Sequence, residues 1–393
     1  MKINLHSEGI TNRTAKVTYK LFIARLVFLL ITAFFAVRLI PYLGNFPYKD
    51  LIDRYHFPPE VYSFANFDGA HYISIAEKGY AEFEQAFFPL YPLFMKGIGY
   101  ILEKNYLLAG LLISNISFLL GLVFFYRWLK EFFPLEQTVW IIVSLLVFPT
   151  AFFFSAVYSE GLFFLFTTAS LYFLKKNNTL LSALFAALSA LTRLQGMLLV
   201  IFFFFSFFQH KRDFISNIKV TFKKHFMLVI SPLFGTVIYM TYLFKTEGDP
   251  LLFLNVQPMF GAMRSSHLII LPQVYFRYIK IFLTSAHTFQ YFIALLEFTM
   301  VTLTLFSAIY LLMKAWKRRN YFLIGLSLFS LAHILLPTLT GTFSSVPRYA
   351  LMALSTYVVI SDLKPKYRYA VAGLSILLQI ILTSLFIQGY FIS

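Results

Sequence analysis

The sequence predicts an all-α polytopic membrane protein, a bundle of about eleven transmembrane helices with short interfacial helices in its first long outer loop. Three observations carry that expectation. Of 393 residues, 59% are hydrophobic and 20% aromatic, while only 13% are charged, against about 25% charged in a soluble domain. Mean hydropathy is +0.73, too high for a dissolved chain. Finally, the apolar residues fall into long runs, and the basic residues cluster between them.

A spanning helix needs roughly 20 mainly apolar residues. The first run, 21–43, follows a polar, basic start (Lys2, Arg13, Lys16, Lys20) and has no small-residue cleavage site. It reads as an uncleaved signal anchor. Arg25 lies at its cytoplasmic end, where a long side chain snorkels to water. Arg38 lies near its other end. Further runs cover 106–126, 137–154, 156–174, 226–244, 290–313, 320–338, 347–362 and 368–390. The stretch 179–209 is too long for one span, and Arg193 and Gly196 near its middle suggest two short helices meeting there.

Charge sets the direction. With a cytoplasmic N-terminus and strict alternation, the inside loops hold Arg127 and Lys130, then Lys175 and Lys176. Lys211, Arg212, Lys219, Lys223 and Lys224 follow. Lys314, Lys317, Arg318 and Arg319 come next, and Lys364, Lys366 and Arg368 last. Every inside loop is basic, as the positive-inside rule requires. The net charge of +16 is therefore a record of topology rather than a nucleic-acid surface. Segments 44–105 and 245–289 fall outside. Within the first, 70–79 and 86–101 read as short helices lying in the interface. Residues 1–393 form a single membrane domain whose two outer loops make one functional face. With no cysteine, disulfides and thiolate metal sites are excluded. No phosphate-binding or dinucleotide-binding glycine motif occurs. His267, His287 and His333 are scattered without zinc-ligand spacing, so no metal site is expected.

The residues able to carry chemistry gather at that outer face. Asp68 precedes a helical pattern, and His71 follows one turn later on the same face, with Tyr72 and Glu77 nearby. Asp is also a favoured helix cap, so the cluster reads as either a cap or a general base. Phe87-Phe88-Pro89-Leu90-Tyr91-Pro92 is a redirected turn, in which Tyr91 walls a groove or anchors at the interface. Tyr158 and Glu160 sit at a turn between two spans. An acid at the edge of the hydrocarbon is costly and marks a functional site by default, although an acid also suits a helix start. The same argument covers Arg193 and Arg348, the latter followed by Tyr349. Gln257 follows the turn Gly248-Asp249-Pro250.

Taken in order, these motifs are Phe67-Asp68-Gly69-x-His71-Tyr72, Phe87-Phe88-Pro89-Leu90-Tyr91-Pro92, Ser155-Ala156-x-Tyr158-Ser159-Glu160, Leu191-Thr192-Arg193-x-x-Gly196, Gly248-Asp249-Pro250-Leu251 with Gln257, and Pro347-Arg348-Tyr349. The set, from about 66 to about 350, resembles the PIG-V-type mannosyltransferases. Position 67 is Phe where Trp is commoner in that family. The compact, cysteine-free chain resembles its prokaryotic members more than the enzyme of GPI-anchor synthesis.

The resemblance implies a GT-C glycosyltransferase fold. It implies transfer of a hexose, mannose by family, from a polyprenyl-phosphate donor to a lipid-linked or glycan acceptor. The reaction inverts the anomeric centre at the non-cytoplasmic face of the cell membrane, or of the endoplasmic reticulum if the source is eukaryotic. Asp68 corresponds to the family's general base. No cofactor is implied beyond the lipid-linked sugar donor, and no partner beyond acceptor and membrane lipids. The chemistry needs a carboxylate to take the acceptor's proton, a cation on the departing phosphate and an apolar groove for the lipid. Asp68 with His71 fits the first need and Arg193 or Arg348 the second, while Glu160 and Gln257 suit sugar hydroxyls. A transporter, flippase or polymerase of lipid-linked saccharides is the competing expectation. A transporter would place its ionisable groups near mid-membrane.

Overall fold

A computed structural model of the chain describes residues 5–43, 49–260 and 264–392, with side chains from Val17 onward. Lys2 and the side chains of Arg13 and Lys16 lie outside the described residues, as does part of the 44–105 loop. Every regular element described is helical. Among the described residues, six helices are long and apolar enough to cross a membrane: Val17–Leu39, Tyr106–Leu129, Phe214–Glu247, Phe289–Lys317, Tyr321–Thr338 and Pro365–Ile387. At about 1.5 Å per residue, 23 residues reach roughly 35 Å, enough for a hydrocarbon core of about 30 Å. Several begin at side-chain caps. Asn105 accepts from Leu108 N at 3.0 Å, Asp213 from Ser216 N at 3.0 Å and Asn320 from Leu323 N at 3.1 Å. Each satisfies an amide that a helix start leaves without a partner.

The other expected spans are shorter pieces. In the run 137–154 the helix Leu135–Leu146 stops ahead of Pro149, and a 3₁₀ turn, Ala151–Phe154, follows. Proline restricts the residue before it and supplies no amide hydrogen. The run 156–174 becomes the helix Glu160–Lys175, and 347–362 becomes two helical turns and the helix Leu354–Ser361. The stretch 179–209 breaks at Arg193 as expected, into Thr179–Thr192, a 3₁₀ turn Leu194–Leu198 and Leu199–Ser206. Apolar length does not register where an apolar chain turns, so these runs are built of shorter helical pieces and turns. The two expected interfacial helices are Asp68–Lys78 and Leu90–Ile101.

The chain divides into two compact units that interleave in sequence. The first comprises Met1–Glu77, Tyr91–Phe185 and Lys364–Phe391. Within it three basic loops meet at one end. Lys176 Nζ lies 2.6 Å from Glu131, Arg368 Nη2 lies 2.9 Å from Glu136, and Lys175 sits 4.7 Å over the Phe132 ring. Its core stacks Phe118 on Phe154 with ring centroids 4.2 Å apart. Arg25 departs from the snorkelling expectation. It is buried, donating from Nη1 to Ser155 Oγ at 2.7 Å and from Nη2 to Ala151 O, with its guanidinium 4.8 Å over Phe118. The turn Ala151–Phe154 leaves carbonyls outside regular helix bonding, and these give a guanidinium acceptors without a trip to the interface. Arg38, by contrast, is exposed and pairs with Glu60 at 2.7 Å.

The second unit comprises Lys78–Leu90 and Ala186–Leu363, with Ile392 also assigned to it. Its helix Phe214–Glu247 holds the 84–88 segment through Tyr239, whose hydroxyl donates to Gln85 O at 2.7 Å. Phe88 packs on Tyr239 and Phe253 with centroids 4.8 and 5.3 Å away. Tyr278 bonds Glu297 and accepts from Phe343 N at 3.0 Å, which fixes the chain ahead of residues 346–349.

Candidate active site

In the first unit the site is built around the start of the Asp68–Lys78 helix. Phe67 holds φ 59°, a left-handed conformation that costs a residue with a side chain roughly 1 kcal/mol or more. The neighbourhood enforces it. Asn66 Nδ2 donates to Phe386 O at 2.9 Å and to Ile387 O at 3.3 Å, and Asn66 O accepts from the Tyr158 hydroxyl at 2.9 Å. The Phe67 ring packs on Phe386 and Phe391, 5.6 and 5.3 Å between centroids. The chain direction entering Asp68 is thus fixed by five contacts, three hydrogen bonds and two ring packings, and that is how a carboxylate is aimed rather than left to sample.

Asp68 and His71 are half-buried and lie one turn apart on one helix face. Through Tyr72 the same helix packs on a layer of buried hydroxyls. Tyr72 donates to Ser159 Oγ at 2.9 Å. Tyr91 OH lies 2.8 Å from Ser114 Oγ and 3.1 Å from Gly110 O, and Ser114 donates to Tyr158 O at 2.9 Å. Tyr72 meets Tyr91 edge to face at 4.9 Å. Tyr72, Tyr91, Tyr158 and Glu160 are all nearly closed to solvent. These four predicted contact residues therefore form a closed shelf that meets the Asp68–Lys78 helix at Tyr72, rather than an open wall. Glu160 opens the helix Glu160–Lys175, where the helix dipole favours a carboxylate. Glycines allow the shelf to close. A Cβ on Gly69 would meet Val157 O at 3.3 Å, and one on Gly110 would lie 2.5 Å from Val157 Cγ1.

In the second unit three predicted residues come together. Arg193 and Arg348 both face the ring of Tyr349, with guanidinium carbons 4.8 and 5.7 Å from its centroid. A shared aromatic ring helps to hold two guanidinium groups in one place, and a contact through the guanidinium plane does not use its N–H donors. Arg193 is extended (φ −154°, ψ 144°) between Thr192 and the 3₁₀ turn, and Gly196 N donates to Arg193 O at 2.9 Å. Gly196 is required there, because its added Cβ would lie 2.5 Å from Ala190 Cα. Gln257 donates to Phe253 O at 3.0 Å and accepts from Arg264 Nη1 at 3.2 Å. Arg264 Nη2 reaches Ser345 Oγ at 3.3 Å, and Ser345 holds φ 67° at the start of Val346–Tyr349.

Sequence reasoning gave Asn66, Ser114, Ser159, Arg264 and Ser345 no role, although Ser159 stands in one of the motifs. Ser114 leaves no spacing signal inside its apolar helix, and Ser159 and Ser345 read as ordinary residues at helix starts. Arg264 reads as one more loop cation until its neutral partners are seen. Asp249, in the Gly-Asp-Pro turn, is a local brace, accepting from Leu251 N at 2.8 Å and Asn255 Nδ2 at 2.7 Å. Among the described residues, no group of three or more His, Asp or Glu could hold a metal ion.

Residues 15–247 match the family described as Mannosyltransferase (PIG-V). No curated protein matches the chain. Among solved structures it is similar to the crystal structure of the Archaeoglobus fulgidus oligosaccharyltransferase in the apo form, at 13% identity and a TM-score of 0.45. That similarity covers 94% of this chain and 56% of the other, so the chain spans little more than half the length of that protein.

Proposed function

The chain belongs to the PIG-V mannosyltransferase family, and on that premise we propose that it is a membrane glycosyltransferase moving a hexose, mannose by family, from a polyprenyl-phosphate donor to a lipid-linked or glycan acceptor. The acceptor hydroxyl oxygen attacks the anomeric carbon from the face opposite the phosphate. The bond from that carbon to the phosphate oxygen breaks with inversion, and lipid phosphate leaves with the electron pair. The acceptor's proton passes to the Asp68 carboxylate.

The observation that carries this reading is the construction around Asp68. A half-buried carboxylate follows a strained turn held by five contacts, has an imidazole on the same helix face and belongs to a helix that packs through Tyr72 on a buried hydroxyl layer. His71 orients the carboxylate or shares the proton. A general base must be within hydrogen-bond reach of the proton it takes, and a pinned backbone favours that. Arg193 and Arg348, held on Tyr349, bind the phosphate as its charge develops, since guanidinium forks match phosphate oxygens. Gln257 offers its amide to sugar hydroxyls.

The gathering of basic loops at one end of the first unit supports a cytoplasmic location for that end. With alternation, this gives the N-terminus a cytoplasmic side and Asp68 the opposite one. Nucleotide sugars are cytoplasmic, so a base on the far side calls for a membrane-borne donor.

The test is direct. Purified protein is incubated with radiolabelled polyprenyl-phosphate mannose and candidate glycolipid acceptors, and labelled product is counted. Asp68→Asn should lower the rate by about 10²–10⁴, the usual worth of a general base, with an unchanged melting temperature. Full transfer by the variant would refute the assignment of the base.

A further inference from the structure

Where the helix Val17–Leu39 ends, a cavity of about 420 Å³ opens in the first unit. Its size is within the roughly 300–1,000 Å³ range of small-molecule sites. Its walls are the last turn of that helix, including Arg38, with Tyr42, Lys49, Tyr62, Ser63 and Gln388. None of these takes part in the Asp68 shelf or the guanidinium–tyrosine cluster.

The electrostatics of the walls narrow the occupant. Arg38 pairs with Glu60 at 2.7 Å, and Lys49 lies 3.8 Å from Asp53. Two cations are thus offset by two carboxylates immediately behind them, so an anion entering here gains little net attraction. Tyr62 bonds Asp53, and burial together with the Asp53 charge pushes its phenol up to about 12, so it stays a neutral hydroxyl at any ordinary pH. The cavity therefore offers N–H and O–H donors, tyrosine ring faces and no net charge. That combination suits a neutral polyhydroxylated head better than a phosphate.

The surroundings supply the rest. On the helix leading to the cavity, Val27, Leu30, Ile31, Phe34, Phe35 and Leu39 are exposed, at the three- and four-residue spacing of one helix face. This apolar track ends where the cavity begins. On the inner side, Ser63 belongs to the strand of chain that runs through Asn66 to Asp68. Ile387, also in the wall, accepts from Asn66 Nδ2. Asp68 lies five positions after Ser63, at most roughly 18 Å of extended chain.

We propose that this cavity holds the sugar head of an amphiphilic acceptor, its alkyl part lying along the exposed apolar face of Val17–Leu39. The inference rests on the transferase reading and names the acceptor class for it: a neutral glycolipid, delivered from the bilayer to the segment that carries Asp68.

The experiment reads binding without turnover. The full-length protein in nanodiscs is photolabelled with diazirine-bearing dodecyl mannoside and, in parallel, diazirine-bearing dodecyl phosphate. The mannoside probe should mark the peptides containing 37–42 and 59–63 and be displaced by plain dodecyl mannoside. The phosphate probe should not mark them. Tyr62→Phe, which leaves the Arg38–Glu60 pair intact, should reduce labelling about fivefold, the effect of one lost hydrogen bond, whereas Glu60→Gln, which leaves Arg38 without its offsetting carboxylate, should let the phosphate probe mark the same peptides. Equal labelling by the phosphate probe, or labelling elsewhere, overturns the proposal. Transfer activity with labelling elsewhere removes the cavity but keeps the transferase. Labelling in place without transfer to any acceptor removes the transferase but keeps the sugar site.

Discussion

Gly196→Ala should unseat Arg193, and its cost follows from three interatomic distances. An added methyl would lie 2.5 Å from Ala190 Cα, and nearer still to Ala190 N and Ser189 C. Ordinary contact begins at 3.4 Å, so the overlap is at least 0.9 Å against three backbone atoms. Those atoms cannot step aside. They belong to the last turns of Thr179–Thr192, and Gly235 packs against the same turns at Ala187 O and Leu191 N. Overpacking costs about 1–3 kcal/mol where side chains can adjust, so an obstacle made of backbone puts the figure near 3 kcal/mol. For 150–250 residues each kcal/mol moves the melting temperature roughly 2–4 °C, which gives a drop of about 6–12 °C. The assay is thermal unfolding in nanodiscs beside Gly373→Ala. No atom lies within 4 Å of the added methyl at Gly373, which sits inside Pro365–Ile387. Alanine there should be neutral or stabilising by up to about 1 kcal/mol. If Gly196→Ala melts with the wild type, the tight reversal does not hold Arg193, and the Thr-Arg-x-x-Gly motif needs another explanation.

Other outcomes follow from the same structure. Arg25→Ala should destabilise the first unit by about 2–3 kcal/mol, because Ser155 and Ala151 lose a charged donor inside the bundle; melting like the wild type would return Arg25 to the snorkelling role. Tyr349→Leu should weaken binding of dodecyl phosphate several-fold while Tyr349→Phe leaves it unchanged, since the ring face rather than the hydroxyl meets the guanidinium groups; isothermal titration decides, and equal affinities for both variants would refute that role. The Glu60 carboxyl is held below its ordinary range by its bond to Arg38. A depressed carboxyl adds stability above its unfolded value of about 4.3, which is lost as pH falls through the folded value. The difference in melting between wild type and Glu60→Gln, worth at most about 1 kcal/mol for so exposed a pair, should therefore be present at pH 7 and vanish below about pH 4. A constant difference across that window would contradict the ion pair.

Some of this was legible in the sequence and some was not, for physical reasons. The break at Arg193 was legible, because a cation and a glycine interrupt an apolar run too long for one span. The helices at Asp68 and Leu90 were legible from their starts, an aspartate and a proline-flanked turn. The shared position of Arg193, Arg348 and Tyr349 was anticipated only as a common face, since no local pattern states that residues 155 apart touch one ring. The turn at Tyr158 and Glu160 was legible, but its early start, with the helix ending at Leu146 and a 3₁₀ turn over Ala151–Phe154, was hidden, because Ala and Phe read as span whether or not they are helical. Arg25 misled for a related reason. Position along a hydrophobic run gives depth, but a buried acceptor on another segment decides whether a guanidinium stays there.

Both halves of the proposed chemistry depend on one kind of support, and it explains why the motifs contain residues that touch no substrate. Phe67 stands left-handed directly before Asp68, and Ser345 stands left-handed three residues before Arg348. Gly196 closes a reversal three residues after Arg193. In each case the functional side chain leaves a backbone that has been turned sharply and then held, by bonds from distant segments at Asn66 to Phe386 and Arg264 to Ser345, and by close packing of Gly196 against the last turns of Thr179–Thr192. A straight helix would present these groups at fixed angular steps of its own. A reversal lets the carboxylate or guanidinium be aimed independently of the helix it borders. The strain of about 1 kcal/mol at such a turn is small beside a misaimed base, for which a displacement of 1 Å can cost about a hundredfold in rate. By that argument Phe67→Gly should relieve the strain yet lower activity more than stability. Glycine releases both the left-handed constraint and the ring that packs on Phe386 and Phe391. Transfer rate and melting temperature measured on the same preparation distinguish the two effects. A variant that loses stability but keeps its rate per folded molecule would show that the turn only holds the chain and does not aim the carboxylate.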